Sequence, residues 1–195
     1  MAASDPSGVK GTAVESVVAD VKQLLEDGRL RREELEARLT AQDLELLEEK
    51  ILPSSWYSLG SYGRLTEILF EREGRQRVAY LVERGRRAAE RLRGSGLYSQ
   101  FRADKERWGD QVGKLLVTLG PAIYKDTRWS YEVFLNGDTM RYRIEVEVPA
   151  EFPDLCRHQT QGFIEYVTAQ FGRGNLRVSS ERAASTLLVF HGDPG

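Results

Sequence analysis

The chain has 195 residues, 41% of them apolar and 9% aromatic, enough to fill the core of one domain or of a small domain with a helical extension. Acids and bases nearly cancel at a formal charge of −2, so the basic surplus of a nucleic-acid binder is missing. A single cysteine, Cys156, excludes an intramolecular disulfide and a multi-cysteine metal cage.

The opening residues, MAASDPSGVKGT, have no charged n-region followed by an apolar run, so they do not read as a signal peptide. No apolar run reaches the ~20 residues that span a bilayer, and the expected address is the cytoplasm. Residues 1–11 are rich in small and polar types and read as a disordered tail. Thr12 followed by Glu15 has the spacing of a capping box, and Val14, Val17, Val18, Val21, Leu24 and Leu25 recur at helical intervals behind it. Gly28 stops that helix. Leu30, Leu35 and Leu39 mark a short amphipathic piece; Thr40 caps another, with Leu44, Leu47 and Ile51 on one face until Pro53. Residues 12–51 are therefore expected as N-terminal amphipathic helices. Their Val/Leu stripe has no obvious complement, which makes it a candidate interaction surface, docking on this chain or on a second copy.

An α+β domain is expected over 52–191. Trp56, Tyr57 and Tyr62 cluster among Ser and Gly turns before helices over 61–120. The helix after Gly74 turns Val78, Leu81, Val82, Ala88, Ala89 and Leu92 inward, and carries Arg84, Arg86, Arg87, Arg91 and Arg93 among glutamates. From Trp129 the period changes to two. Trp129, Tyr131, Val133 and Leu135 alternate with Ser130, Glu132 and Phe134, and Met140, Tyr142, Ile144, Val146 and Val148 alternate with Arg141, Arg143, Glu145 and Glu147, with Asn136-Gly137-Asp138 as the turn of a hairpin over 128–148. A helix over 154–171 and a second hairpin over 176–191 follow. The expected fold is α+β, an N-terminal helical half packed on a four-stranded antiparallel sheet made of two hairpins flanking a helix.

Chemistry is thinly supplied. Only His158 and His191 could serve a serine or cysteine nucleophile, and Cys156 and His158, two apart on a helix, point to different sides. No phosphate-loop spacing occurs, and Gly94-Ser95-Gly96 follows a helix instead of opening one. No catalytic residue, metal site or cofactor is expected. Arg84, Arg87 and Arg91 form the best candidate anion-binding surface, because guanidinium forks suit phosphate and carboxylate geometry. Trp56, Tyr57, Tyr62, Tyr98, Phe101 and Trp108 could wall a pocket for an apolar small molecule.

The order of these parts, with the motifs Leu52-Pro53-Ser54-Ser55-Trp56-Tyr57 and Gly162-Phe163-Ile164-Glu165, resembles an uncharacterised family abundant in myxobacteria. That family is similar in layout to the superfamily of haem–nitric-oxide-binding, four-vinyl-reductase and TRAPP-subunit domains. The resemblance covers roughly residues 45 to 191. It implies a sensor, a ligand-binding module or an assembly subunit, seldom an enzyme. The haem-binding branch carries a YxSxR motif and an axial histidine from its helical half, and this chain has neither. The first expectation is thus a non-catalytic regulatory or protein-interaction protein of a bacterial cytoplasm, working through a partner or as a homodimer. The alternative is a small-molecule or lipid sensor with an apolar ligand held between helices and sheet.

Overall fold

The computed structural model describes residues 7–94, 108–136, 139–171 and 176–194. The chain divides into two compact units, one of Met1–Tyr80 with Ile123–Lys125, the other of Leu81–Ala122 with Asp126–Gly195. The sequence boundary drawn at 51/52 falls inside the first unit.

In the first unit, β1 (Gly8–Lys10) pairs antiparallel with β2 (Trp56–Ser58), Lys10 opposite Trp56 and Gly8 opposite Ser58. Residues 7–11 are therefore not a tail. Their composition looked too polar to fold, but backbone pairing needs no apolar side chain, and Val9 is fully buried. The same pairing moves the start of α1 (Gly11–Glu26): Lys10 is its N-cap, and the Thr12/Glu15 capping box does not form. Gly11 donates its N–H to the Ser55 carbonyl at 2.9 Å, and a Cβ there would collide with the Leu52 carbonyl. At the far end Gly28, with φ 68°, closes the helix as expected, and the N–H groups of Arg29 and Leu30 return to the Leu24 carbonyl.

The α1 stripe is not an open surface. Val14, Val17, Val18, Val21 and Leu24 are buried and Leu25 is half-buried, with α4 (Leu59–Arg72) as the main partner and α3 (Ala41–Glu48) beside it. Burying each such side chain stabilises the fold by about 1.5–3 kcal/mol. The missing complement was supplied by Leu59, Leu65, Ile68 and Leu69 of α4, all buried. The short helix α2 (Arg32–Glu36) adds Leu35. Thr40 caps α3 as expected, accepting from the Asp43 N–H at 3.3 Å while Asp43 accepts from the Thr40 N–H at 2.9 Å. The helix ends at Glu48, short of Pro53, and buries Leu46 where Leu44 was expected; Leu44 is half-buried.

In the second unit, β3 (Arg128–Asn136), β4 (Thr139–Glu147), β5 (Leu176–Ala184) and β6 (Leu187–Pro194) form one antiparallel sheet in the order β3-β4-β6-β5. The first hairpin keeps one register from Arg128 opposite Glu147 to Asn136 opposite Thr139; Gly137 and Asp138 lie outside the described residues. Cross-strand partners share a face, so Trp129, Tyr131 and Val133 lie with Tyr142, Ile144 and Val146, with Leu188, Phe190 and Gly192, and with Val178, Ser180 and Arg182. Helices α6 (Trp108–Ile123) and α7 (Asp154–Phe171) pack on that face. A Cβ on Gly113 would strike the Tyr131 ring, and one on Gly120 the Trp129 ring, so α6 rests its glycines on the strand aromatics. The opposite face carries Ser130, Glu132, Arg141, Arg143, Glu145 and Glu147. Helix α5 (Val78–Gly94) buries Leu81, Val82 and Ala89 as expected but leaves Val78 44% exposed, because that residue is its first and lies outside the packed turn.

Candidate functional site

A cavity of about 320 Å³ opens in the first unit between one face of α3 and the β1–β2 ribbon. Helical spacing brings Gln42, Glu45, Leu46 and Glu49 to its edge, and the ribbon contributes Gly8, Trp56, Tyr57 and Ser58. Ser61, in the first turn of α4, and Lys125 complete the lining. Lys125 is held there by its backbone, whose N–H donates to the Gly8 carbonyl at 2.8 Å.

Two contacts fix the aromatic wall. Trp56 lies against Gly8, where an added Cβ would sit 3.4 Å from its ring, and the Lys10 ammonium stands 4.3 Å from the ring centroid. That distance is within the range of a cation–π contact. The Tyr57 hydroxyl accepts from the Leu52 N–H at 2.8 Å, which ties the ribbon to the loop after α3. Trp56 nonetheless remains 40% exposed, and Leu52 50%.

Behind this wall lies a charged anchor. Asp43 is fully buried and takes a fork from Arg64, Nε to Oδ2 at 2.6 Å and Nη2 to Oδ1 at 2.8 Å. Burial works to raise the Asp43 carboxyl, but Arg64 and the Thr40 cap outweigh it and hold the group well below the usual carboxylate range. The Ser61 hydroxyl faces the same carboxylate, though no hydrogen bond of ordinary geometry closes between them.

A second polar cluster joins α7 to β5. Arg157 pairs with Asp154 through Nη2 at 2.8 Å and donates through Nη1 to the Ser180 carbonyl at 2.7 Å. Ser180 donates to Gln161 at 2.8 Å, and Gln161 donates to the Val178 carbonyl at 2.8 Å. Arg182 reaches Asp154 at 3.3 Å and the Phe152 carbonyl at 2.8 Å. The hydrogen bond from Arg157, with Arg182 beside it, holds the Asp154 carboxyl down to about 2. His158 Nε2 lies 3.1 Å from Arg157 Nη2, while its Nδ1 is buried without a partner. Burial, and then the neighbouring Arg157, lower its pKa. Asp154, Arg157 and Gln161 on α7 are joined through these bonds to Val178, Ser180 and Arg182 on β5, so the cluster is a structural clasp.

The expected site residues separate. Trp56 and Tyr57 do line a cavity, whereas Tyr62 is buried in the core and is not part of its lining. Tyr98 and Phe101 lie outside the described residues, as does the Trp108 side chain. The wall of this cavity is mixed, with Glu45 and Glu49 beside Leu46, Trp56 and Tyr57. The arginine surface is largely spent. Arg87 donates to Glu83 at 3.1 Å, Arg86 donates through Nε to Glu165 at 3.0 Å, and Arg84 and Arg91 have interactions of their own. Cys156 is fully buried. Among the described residues no three His, Cys, Asp or Glu side chains could hold a metal together. No described helix is long and apolar enough to cross a membrane. Gln42, Glu45 and Glu49 were legible as one helix face; nothing local to Lys125 marks it.

No family model matches the chain, and no curated protein matches its sequence. Solved structures do match its fold. An Fe(II) unliganded H-NOX protein mutant from K. algicida aligns with a TM-score of 0.63 at 12% identity, over 95% of this chain and 96% of that one. A Cs H-NOX mutant carrying 4-cyano-L-phenylalanine gives 0.60 at 15%, over 94% and 95%. A T. tengcongensis H-NOX mutant gives 0.58 at 15%, over 94% and 96%. The α+β fold is therefore H-NOX-like, as the order of elements led one to expect.

Proposed function

We propose that this chain is a small-molecule sensor domain that works without haem and without catalysis. The observation that carries the reading is the fold, which follows ligand-binding H-NOX domains over nearly the whole chain. A cavity at the lower end of the ~300–1,000 Å³ range of small-ligand sites adds to it. The interaction reading has lost its main motive, because the α1 stripe is buried within the chain.

The residues do not fit an imidazole-ligated haem. The two histidines, His158 and His191, lie on α7 and β6; none is on α1 to α6. His158 is engaged by Arg157, and His191 stands 3.7 Å from Glu181. The nearest approach to a YxSxR pattern is Tyr124-Lys125-Asp126-Thr127-Arg128, which puts a carboxylate at the serine position. An aspartate there repels a propionate, and Arg128 is exposed beside Glu147 at 3.7 Å. The non-catalytic reading is supported by the poverty of imidazole and thiol, and by the engagement of the α7 groups in the clasp.

Two measurements test the proposal. Protein produced with haem supplied is expected to show no Soret band. Native mass spectrometry of freshly purified protein, with a thermal-shift screen of metabolites and lipids, is expected to find a ligand that raises the midpoint. A stoichiometric haem refutes the haem-free reading, and an empty protein that no compound stabilises refutes the sensor reading.

A further inference from the structure

We infer that the clasp joining α7 to β5 is an acid-released latch, in which a protonated His158 takes Asp154 from Arg157 and uncovers the Ser180 carbonyl. It is a conformational device separate from the sensor reading and does not depend on it. Geometry fixes the state of the ring in the closed clasp. A guanidinium only donates, so Arg157 Nη2, 3.1 Å from His158 Nε2, makes that nitrogen an acceptor and puts the neutral ring's proton on Nδ1. Nδ1 is buried with no partner among the described residues, so the closed clasp keeps that N–H unsatisfied.

A second proton has to go on Nε2, where it sets donor against donor. The anion beside that atom is Asp154, whose Oδ2 is 3.9 Å away and already held by Arg157 Nη2 at 2.8 Å. For His158 to close on this oxygen, Arg157 must give it up. The same guanidinium holds Asp154 Oδ1 through Nε at 2.9 Å, and through Nη1 the Ser180 carbonyl at 2.7 Å and hydroxyl at 2.9 Å. The fork is planar and rigid, so turning it off Oδ2 also draws Nη1 away from Ser180. Arg157 and Asp154 are the charged groups that bear on His158. Around them, Arg182 of β5 lies 3.3 Å from Asp154, and Arg86 of α5 is turned to Glu165 at 3.0 Å. His191 and Glu181 lie on the opposite face of the sheet. The open form binds the proton more tightly, since Asp154 meets the ring there and Arg157 does not. Acid therefore drives opening. The clasp is closed above about pH 6.5, and Asp154 stays ionised through the change because its carboxyl titrates at about 2.

The full chain, labelled with nitrogen-15, is titrated from about pH 7.5 to about 5 and followed by NMR. At the upper end the His158 ring is expected as the Nδ1–H tautomer. On acidification the His158 ring, the Arg157 Nε–H and the Ser180 amide are expected to move with one midpoint. Amide protection over 154–161 and 178–182, corrected for intrinsic exchange, is expected to fall by at least about tenfold while that of β3 and β4 holds. His158→Gln keeps an acceptor that takes no proton, and is expected to keep the protection throughout. Co-titration in the unaltered chain is a test that needs no variant to fold. An Nε2–H tautomer at neutral pH overturns the inference. So does a His158 ring that titrates while Arg157 and Ser180 stay still, or protection lost equally in β3 and β4. The same loss in His158→Gln overturns it as well, because the proton then acts elsewhere.

Discussion

Gly85 on α5 and Gly162 on α7 allow a reciprocal backbone contact: a Cβ on Gly85 would collide with the Gln159 carbonyl, and one on Gly162 with the Val82 carbonyl. Each glycine faces the other helix's main chain, which cannot move aside as a side chain can. Gly162→Ala and Gly85→Ala are each expected to destabilise the protein by about 2–3 kcal/mol, the upper part of the overpacking range. Gly94→Ala, at the end of α5 with open space around it, is the control and is expected to change stability by less than about 1 kcal/mol. Urea denaturation at constant m-value reads all three.

The Asp43–Arg64 fork makes a pH-dependent contribution. The Asp43 carboxyl titrates lower in the folded chain than in the unfolded one, so its stabilisation is complete above the ordinary carboxylate range and is lost as pH falls through the folded value. Asp43→Asn is expected to be less stable at pH 7 and to lose less on acidification below about pH 4. Arg64→Met leaves a buried carboxylate unpaired; because Arg64 is 39% exposed, a loss of about 2 kcal/mol is expected, under the ~3–5 of a fully buried pair.

In the α7 clasp, Asp154 and His158 act in the same direction. The Asp154 carboxyl titrates at about 2, so its contribution is present above about pH 4 and lost below. The lowered His158 favours the neutral ring in the fold, so its contribution is present above about pH 6.5 and lost as pH falls through the folded value. Imidazole proton shifts are expected to place His158 below the ordinary value. His158→Gln is expected to flatten the stability profile between about pH 6.5 and 5; an unchanged profile contradicts this.

The α1 stripe makes a different prediction from that of a partner surface. Leu24→Ala is expected to cost about 2–5 kcal/mol of stability, since its side chain is 1% exposed. Removal of residues 1–51 is expected to unfold the first unit, seen as lost amide protection over α4. A truncated chain with intact protection of Leu65, Ile68 and Leu69 counts against the packing described.

Much of the architecture could be read from residues near one another. The period of two in Trp129-Ser130-Tyr131 and Tyr142-Arg143-Ile144 gives the alternating faces of β3 and β4, and helical spacing gives α7 over 154–171. Thr40 and Gly28 mark their helix ends because capping is settled within a few residues. The strand Gly8–Lys10 was illegible because its partner is Trp56–Ser58, far along the chain, and main-chain pairing leaves little trace in side-chain type. The α1 stripe was visible, but whether it faced solvent or α4 depends on how helices meet. The cavity is the clearest case: its α3 face follows from spacing, whereas Lys125 and the exposure of Trp56 arise from backbone pairing across the fold. Periodicity and capping are local free-energy preferences, while cavities and burial are properties of distant surfaces brought together, which no short window of residues encodes.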